Sequence, residues 1–297
     1  MKKLKTQLKN NKEIRSVLRE VDVGFELEGG ISVDTLLVYL PCKSGICDYS
    51  KLLEVIKQSI MANFALAYSE IERKLSIESK ETSEELFKKS VRKISQHTAK
   101  GELGELLLFT LLDVYLEAPK ILTKLSFKTS RRMPVYGADA VHAQYKDGAL
   151  RLYLGESKMH KNFTTAVTKA ANSISDSIDN YETEFDLIDS HIDFPEIDLS
   201  TCEELISILN PFDQEEFDPE TLHTPCFIGF VEPTIFSDDE EEYRQQYIDL
   251  ACDHIAQFYS KLEEVSHERN KTTLMLLPLS SLDDLVKDFI AHMGIEK

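Results

Sequence analysis

Alternation of apolar and polar side chains is clearest in two short stretches near the middle of the chain, residues 136–144 and 152–158. Such alternation is typical of β-strands, in which neighbouring side chains point to opposite faces of a sheet. The turn-forming residues 146–148 lie between the two stretches, so the sequence predicts a β-hairpin. Because residues i and i+2 of a strand share a face, the side chains of Glu156 and Lys158 are predicted to point the same way.

Helical periodicity and apolar runs predict the elements around this hairpin. Residues 106–116 are too apolar for an exposed helix and are predicted to form a helix of the core. Pro278 is expected to end the last strand of the chain. This mixture of elements predicts an α/β fold in which helices flank a mixed central sheet. Strands at 21–27 and 33–40 are predicted to form one hairpin around the turn at Gly29 and Gly30. The other predicted elements are strands at 121–127, 225–231 and 272–277 and helices at 51–75, 83–97, 164–178, 238–262 and 282–292.

A chain of 297 residues is long enough to bury a substantial core. Residues 1–97 are expected to form an N-terminal α+β region that packs on the core. Residues 98–297 are expected to form the core itself, with an acidic insertion at about 179–224. The insertion is read as a solubilising loop region, as a surface that docks a partner, or as a cover that imitates nucleic acid over a basic site.

Composition excludes several other classes of protein. No stretch of about 20 uninterrupted apolar residues occurs, so no membrane association is expected. The five cysteines are scattered without the spacing of a zinc site or a disulfide framework, which favours a reducing cytoplasm. The chain also lacks the glycine-rich phosphate loops of ATPases and dehydrogenases and the nucleophile elbow of serine hydrolases.

The formal net charge is −18 at pH 7, but the charge is unevenly distributed. Residues 120–169, which contain the hairpin, hold ten Lys and Arg against three Asp and Glu, so this segment carries +7, whereas residues 170–243 hold no Lys or Arg. A basic segment has the right sign to contact a phosphate backbone, although a solvated positive face is the alternative. The residues expected to contact nucleic acid are Arg131, Arg132, Lys161 and Lys169.

Candidate chemistry lies on the predicted hairpin. Asp139 is on the first strand, and Glu156 and Lys158 are on the second. Carboxylates are hard ligands suited to Mg²⁺ or Mn²⁺, and such a metal lowers the pKa of a bound water. A lysine beside the metal can orient that water or meet negative charge that develops on a phosphate. The alternative interpretation is a surface hairpin with a salt bridge.

Two further acids, Glu102 and Glu105, lie where the predicted core helix begins. For Glu102, a charged first turn that complements the helix dipole is the favoured interpretation. Glu105 is further into the apolar run, where a carboxylate is costly unless it is paired or bound to a metal. We therefore favour a functional role for Glu105.

The order Gly104-Glu105, Gly137-Ala-Asp139 and Glu156-Ser-Lys158, followed by a helix, resembles the PD-(D/E)xK nuclease superfamily. The resemblance covers roughly residues 98–180, and Ala138 stands where that superfamily usually has Pro. More narrowly, the segments around these residues look like the HamA family. HamA is the nuclease-like subunit of bacterial Hachiman anti-phage systems, and it acts with the helicase HamB.

The resemblance implies a restriction-endonuclease-like core and a metal-dependent nuclease that cuts DNA. It implies that Glu105, Asp139, Glu156 and Lys158 are catalytic, and that the three carboxylates hold Mg²⁺ or Mn²⁺. It also implies a HamB-like helicase partner that restrains the nuclease. Two alternatives remain open: a non-catalytic subunit that binds nucleic acid or docks a partner, and an RNA-cleaving toxin.

Overall fold

The central strands are continuous apolar runs because helices cover both faces of the sheet. Cys226–Val231 and Leu274–Leu279 show this best, since almost every side chain in them is buried. The structure is a computed structural model, and it describes residues 4–43, 45–60, 71, 80–122, 138–146, 148–179, 203–204 and 219–296. Among the described helices, none is both long enough and apolar enough to cross a membrane.

The elements follow one another along the described parts of the chain with helices and strands interspersed. The helices are α1 (Asn11–Val17), α2 (Tyr49–Ser59), α3 (Lys80–Val91), α4 (Ala99–Val114), α5 (Phe163–Asp179), α6 (Glu240–Glu264) and α7 (Leu282–Met293). The strands are β1 (Arg19–Val21), β2 (Phe25–Leu27), β3 (Ile31–Val33), β4 (Thr35–Tyr39), β5 (Cys42–Lys43), β6 (Ile46–Cys47), β7 (Lys120–Leu122), β8 (Ala140–Lys146), β9 (Ala149–His160), β10 (Leu222–His223), β11 (Cys226–Val231) and β12 (Leu274–Leu279).

The main sheet has eight strands in the order β1-β4-β12-β11-β9-β8-β7, with β10 paired to β9. Strands β4, β12, β11 and β9 are parallel neighbours, whereas β1, β8 and β7 join antiparallel at the two sides. Strands β2 and β3 form a separate hairpin, as do β5 and β6. The N-terminal region thus contributes β1 and β4 directly to the sheet that carries the candidate site.

Two layers of helices cover the main sheet. Helices α1, α2, α4 and α7 pack in one apolar cluster with one face of the strands, and α5 and α6 pack in a second cluster with the other face. Within the first cluster, α4 is buried along nearly its whole length, as its apolar sequence predicts. The fold class is therefore confirmed: a mixed central sheet lies between layers of helices.

Two local expectations differ from the structure. Residues 21–27 and 33–40 do not form one simple hairpin, because β2 and β3 pair with each other around Gly29 and Gly30, whereas β1 and β4 join the main sheet. Strand β12 continues through Pro278 to Leu279. The missing N–H of Pro278 breaks no rung of the ladder with β4, because the paired residues of β12 on that side end at Leu276.

Candidate active site

Asp139 lies immediately before β8, next to the middle of β9. Its main-chain N–H donates to the carbonyl oxygen of Gly155 at 3.0 Å, and the antiparallel pairing of β8 with β9 begins at Ala140 opposite Gly155. The pairing continues to Lys146 opposite Ala149, which confirms the predicted hairpin. The hairpin therefore places the acid of the first strand beside the acid and lysine of the second.

The carboxylate of Asp139 is held by Ser157. One carboxylate oxygen, Oδ2, accepts from the main-chain N–H of Ser157 at 3.0 Å and from its hydroxyl at 2.9 Å. Ser157 lies beyond the part of β9 that pairs with β8, so on this side its N–H is available to a side chain. The Asp139 carboxylate thus accepts the hydrogen bond that a main-chain carbonyl would accept if the pairing with β8 continued.

Glu156 and Lys158 lie on one face of β9, as the alternation predicts. They stand in register with Cys226 and Ile228 of β11, whose side chains belong to the cluster beneath α5 and α6. The Lys158 ammonium Nζ contacts Glu156 Oε1 directly. Glu156 is only 6% exposed, so this ion pair is largely shielded from water.

The charges of Asp139, Glu156 and Lys158 act on one another. Burial disfavours the charged form of Lys158, but the nearby carboxylates of Glu156 and Asp139 outweigh burial and raise the pKa of Lys158. Burial also raises the pKa of the Cys226 thiol, with Glu156 and Asp139 adding to the effect and Lys158 opposing it. The two carboxylates, the ammonium group and this thiol therefore lie within electrostatic reach of each other.

Helix α4 packs on the face of β9 opposite to Glu156 and Lys158, and it comes nearest to the site at Gly104, beside the Ser157 side chain that holds Asp139. A Cβ at Gly104 would lie 3.2 Å from the Ser157 hydroxyl and 3.2 Å from the Met159 side chain, so the helix backbone packs tightly on β9. Glu105 follows on the same helix and is half-buried, whereas Glu102 is only 2% exposed. The relative burial of the two acids is thus the reverse of what their positions in the apolar run suggest.

The basic residues expected to contact nucleic acid occupy different places. Lys169 is exposed on α5, and Lys161 is exposed just after β9, where its Nζ contacts Asp283 Oδ2 at 2.5 Å. Burial and the charges of Lys169, Lys100 and Lys158 lower the pKa of His160, so three cations surround the end of β9. Arg131 and Arg132 lie outside the described residues.

Two residues of this site are not predicted by the motif of carboxylates and a lysine. Ser157 holds Asp139, and Cys226 lies buried beside the ion pair. Ser157 could have been noticed because it stands between Glu156 and Lys158, although its side chain is on the opposite face of the strand. Cys226 comes from a distant strand, and only the pairing of β11 with β9 brings it here.

The carboxylates of this site have the chemistry to hold a hard divalent cation. Asp139 and Glu156 each supply carboxylate oxygens, which are the ligands that Mg²⁺ prefers. Within the described residues, no group of three or more His, Cys, Asp and Glu side chains is arranged to hold a metal. Two carboxylates are still a sufficient protein contribution for Mg²⁺, because this ion usually keeps several waters and takes other ligands from a substrate phosphate.

Comparison with known proteins gives one family. The model of the HamA family matches residues 17–293, whereas no curated protein matches the chain. The family match includes every element from β1 to α7 and all the candidate residues described above. Since the match spans nearly the whole sequence, the chain belongs to the HamA family, and this membership suggests a component of a Hachiman defence system.

Proposed function

We propose that this protein is a metal-dependent DNA nuclease of the PD-(D/E)xK type, held inactive by a helicase partner until the defence system is triggered. The observation that carries the proposal is the meeting of Asp139, Glu156 and Lys158 at the open end of the β8–β9 hairpin. Two acids and one cation in a shielded site suit phosphodiester hydrolysis, in which a metal, a water and an anionic phosphate must be brought together.

The two carboxylates would hold the metal. Ser157 fixes Asp139 through two hydrogen bonds, so one carboxylate is oriented before any ligand binds. Glu156 would exchange its contact with Lys158 for a contact with the cation. A bound Mg²⁺ supplies an acidified water and positive charge at the scissile phosphate.

Lys158 would act on the reacting phosphate. The raised pKa of Lys158 keeps its side chain protonated at neutral pH, so it serves as a hydrogen-bond donor and a positive charge rather than as a base. In that form, Lys158 would orient the attacking water or stabilise the negative charge that develops on the phosphate oxygens. Glu105 lies on α4, which covers the other face of β9 from Glu156 and Lys158, so it would have to reach the metal from the Asp139 side. There it would position the water or complete the metal shell.

Substrate would approach over the basic end of β9. His160 lies there, and the charges of Lys169 and Lys100 act on it. Further candidates for contact with DNA are Lys161, Arg131 and Arg132. A site that cuts any bound phosphodiester would harm its host unless it were restrained. A HamB-like helicase is the proposed partner that restrains it, in keeping with membership of the HamA family.

The test is plasmid cleavage by purified protein in Mg²⁺ or Mn²⁺, with and without the helicase partner. Glu156→Ala and Lys158→Ala are expected to abolish cleavage. The matched controls Asp288→Ala and Lys287→Ala remove the same charges from exposed positions on α7 and are expected to cleave like the unmodified protein. Parallel reactions on RNA separate a DNA nuclease from an RNA-cleaving toxin. Equal cleavage by the unmodified protein and both site variants would instead support a non-catalytic subunit.

A further inference from the structure

A second polar cleft lies at the opposite end of β9 from the ion pair. It has a volume of about 480 Å³, within the range of sites that bind small organic ligands. Arg151 lines the cleft and precedes Glu156 by five positions, so the two sites are separated by about 16 Å along the strand. The charged and imidazole side chains that line this cleft are Asp34, Lys146, Arg151, Glu220, His223 and Lys271.

Cations from three elements converge in the cleft. Lys146 ends β8, Arg151 lies near the start of β9, and Lys271 lies just before β12. Burial lowers the pKa of His223 to about 4, the charges of these three cations add to the effect, and Asp34 opposes it. His223 is therefore a neutral ring at pH 7 that stands in a positive field.

An aromatic wall stands beside these cations. The rings of Tyr153 and His223 lie with their centroids 5.7 Å apart, and the two residues are paired in register between β9 and β10. The Tyr153 hydroxyl donates to the side-chain oxygen of Gln144 at 2.9 Å and also bonds with Arg151, which orients the guanidinium. Arginine in a fixed orientation suits phosphate because its planar fork matches two phosphate oxygens.

The acids of the cleft occupy separate positions. Glu220 contacts Lys271 Nζ at 3.2 Å, and Glu268 contacts the same nitrogen at 3.6 Å, so the charge of Lys271 is already balanced within the protein. Asp34 is exposed in the short link between β3 and β4. Carboxylates at the rim can accept hydrogen bonds from sugar hydroxyls or base amino groups, which a simple inorganic anion does not offer.

We infer that this cleft is a nucleotide-phosphate site, in which Lys146 and Arg151 hold the phosphate and the His223 ring borders the sugar or base. The same chemistry fits two sources of the phosphate: a free nucleotide, or a phosphodiester of DNA bound elsewhere on the protein. The site is spatially separate from Asp139, Glu156 and Lys158, and it does not require that the protein cleave DNA.

The test measures binding by the full chain to two probes at low salt. AMP and ATP are titrated by calorimetry, and a labelled 20-nucleotide single-stranded DNA is titrated by fluorescence anisotropy. The variant Lys146→Gln/Arg151→Gln is expected to lose at least tenfold in affinity for one of these probes. The control Lys287→Gln removes one exposed positive charge from α7 and is expected to stay within twofold of the unmodified protein.

Each outcome has one meaning. Loss of nucleotide binding assigns a free nucleotide to the cleft, and loss confined to the oligonucleotide assigns a DNA phosphodiester. Unchanged binding of both probes, or no binding of either by the unmodified protein, overturns the inference. The variant Lys146→Gln alone guards against misfolding, because Lys146 is exposed, and it is expected to show a smaller loss in the same direction. Repeating the titrations in Glu156→Gln separates this inference from the proposed nuclease activity, since cleft binding should persist there.

Discussion

Ser157 donates two hydrogen bonds to the same carboxylate oxygen of Asp139, one from its main-chain N–H and one from its hydroxyl, at 3.0 and 2.9 Å. The serine side chain points away from the face that carries Glu156 and Lys158, yet it reaches the acid because Asp139 lies in the plane of the sheet at the end of the hairpin. A residue between the two charged members of the motif thus fixes the third member.

Ser157→Ala is expected to lower the apparent affinity for Mg²⁺ more than it lowers the maximal rate of cleavage. The variant keeps the main-chain hydrogen bond to Asp139 but loses one hydroxyl bond, worth about 1 kcal/mol. The Mg²⁺ concentration for half-maximal cleavage should therefore rise roughly fivefold, while the rate at saturating Mg²⁺ changes little. The measurement is a Mg²⁺ titration of plasmid cleavage, with thermal unfolding as the control for structure. An unaltered titration curve would mean that Ser157 does not position Asp139.

Substitutions of Lys158 and Glu156 are expected to have non-additive effects on the free energy of unfolding. Lys158→Met leaves the buried Glu156 carboxylate without its cation, which should cost about 3 kcal/mol of unfolding free energy. The double variant Lys158→Met/Glu156→Gln removes both charges and should recover most of that loss. Urea unfolding at pH 7 of the unmodified protein, Lys158→Met, Glu156→Gln and the double variant measures the coupling energy between the two side chains. Additive effects would argue against a shielded pair.

The motif could be predicted because its geometry is local. Strand alternation fixes Glu156 and Lys158 on one face, and the turn at residues 146–148 brings Asp139 beside them. The Ser157 contact was not predictable in this way, because it depends on β8 starting opposite Gly155 rather than further along. The sequence carries no local signal for that stagger.

Helix α4 shows more clearly which features of the site the sequence does not determine. Its apolar sequence predicted burial, and the structure confirms a core helix. Which of its acids is buried depends instead on how the helix is rotated about its axis, and a nearly uniform apolar helix has no single stripe to fix that rotation. Glu102 is accordingly the more buried acid, against the expectation from its place in the first turn.

Gly104→Ala is expected to disturb the site, whereas Gly101→Ala is not. An added Cβ at Gly104 meets Ser157 and Met159 at 3.2 Å, while nothing lies within 4 Å of a Cβ at Gly101. Both substitutions gain helix propensity, by up to about 1 kcal/mol. Gly101→Ala should therefore equal or exceed the unmodified protein in stability and cleave normally, and Gly104→Ala should forfeit the gain and cleave several-fold more slowly. Indistinguishable behaviour of the two variants in melting and cleavage assays would contradict the close packing of α4 on β9.

Cys42 and Cys47 are expected to form a disulfide on mild oxidation. They face each other across β5 and β6 with their sulfur atoms 2.7 Å apart, a proximity that the spacing in the sequence does not reveal. The hydrogen bond from the Cys42 thiol lowers the pKa of Cys47, which favours the reactive thiolate. With hydrogen peroxide as the oxidant, two thiols give one disulfide and two waters. Mass spectrometry should show the loss of two hydrogens between these residues, reversed by dithiothreitol and absent in Cys42→Ser. Peroxide treatment that leaves both thiols free to alkylate would contradict the pairing.

His142 is expected to make the protein less stable in mild acid. The ring is fully buried against Phe109, its Nδ1 lies 2.7 Å from the carbonyl oxygen of Ala118, and burial lowers its pKa to about 3. The unfolded chain therefore binds a proton below about pH 6.5 that the folded chain does not, so stability falls as the pH drops through that range. Relative to His142→Asn, which keeps an N–H donor but does not titrate, the unmodified protein should lose about 2 kcal/mol between pH 7 and pH 5. The control concerns Asp113, whose pKa burial raises to about 6, so that the folded state gains stability as the pH falls.

Asp113 is present in both proteins, so its contribution to the pH dependence cancels when their urea unfolding curves are compared. A difference between the two proteins that stays constant from pH 7 to pH 5 would show that His142 accepts a proton in the folded state.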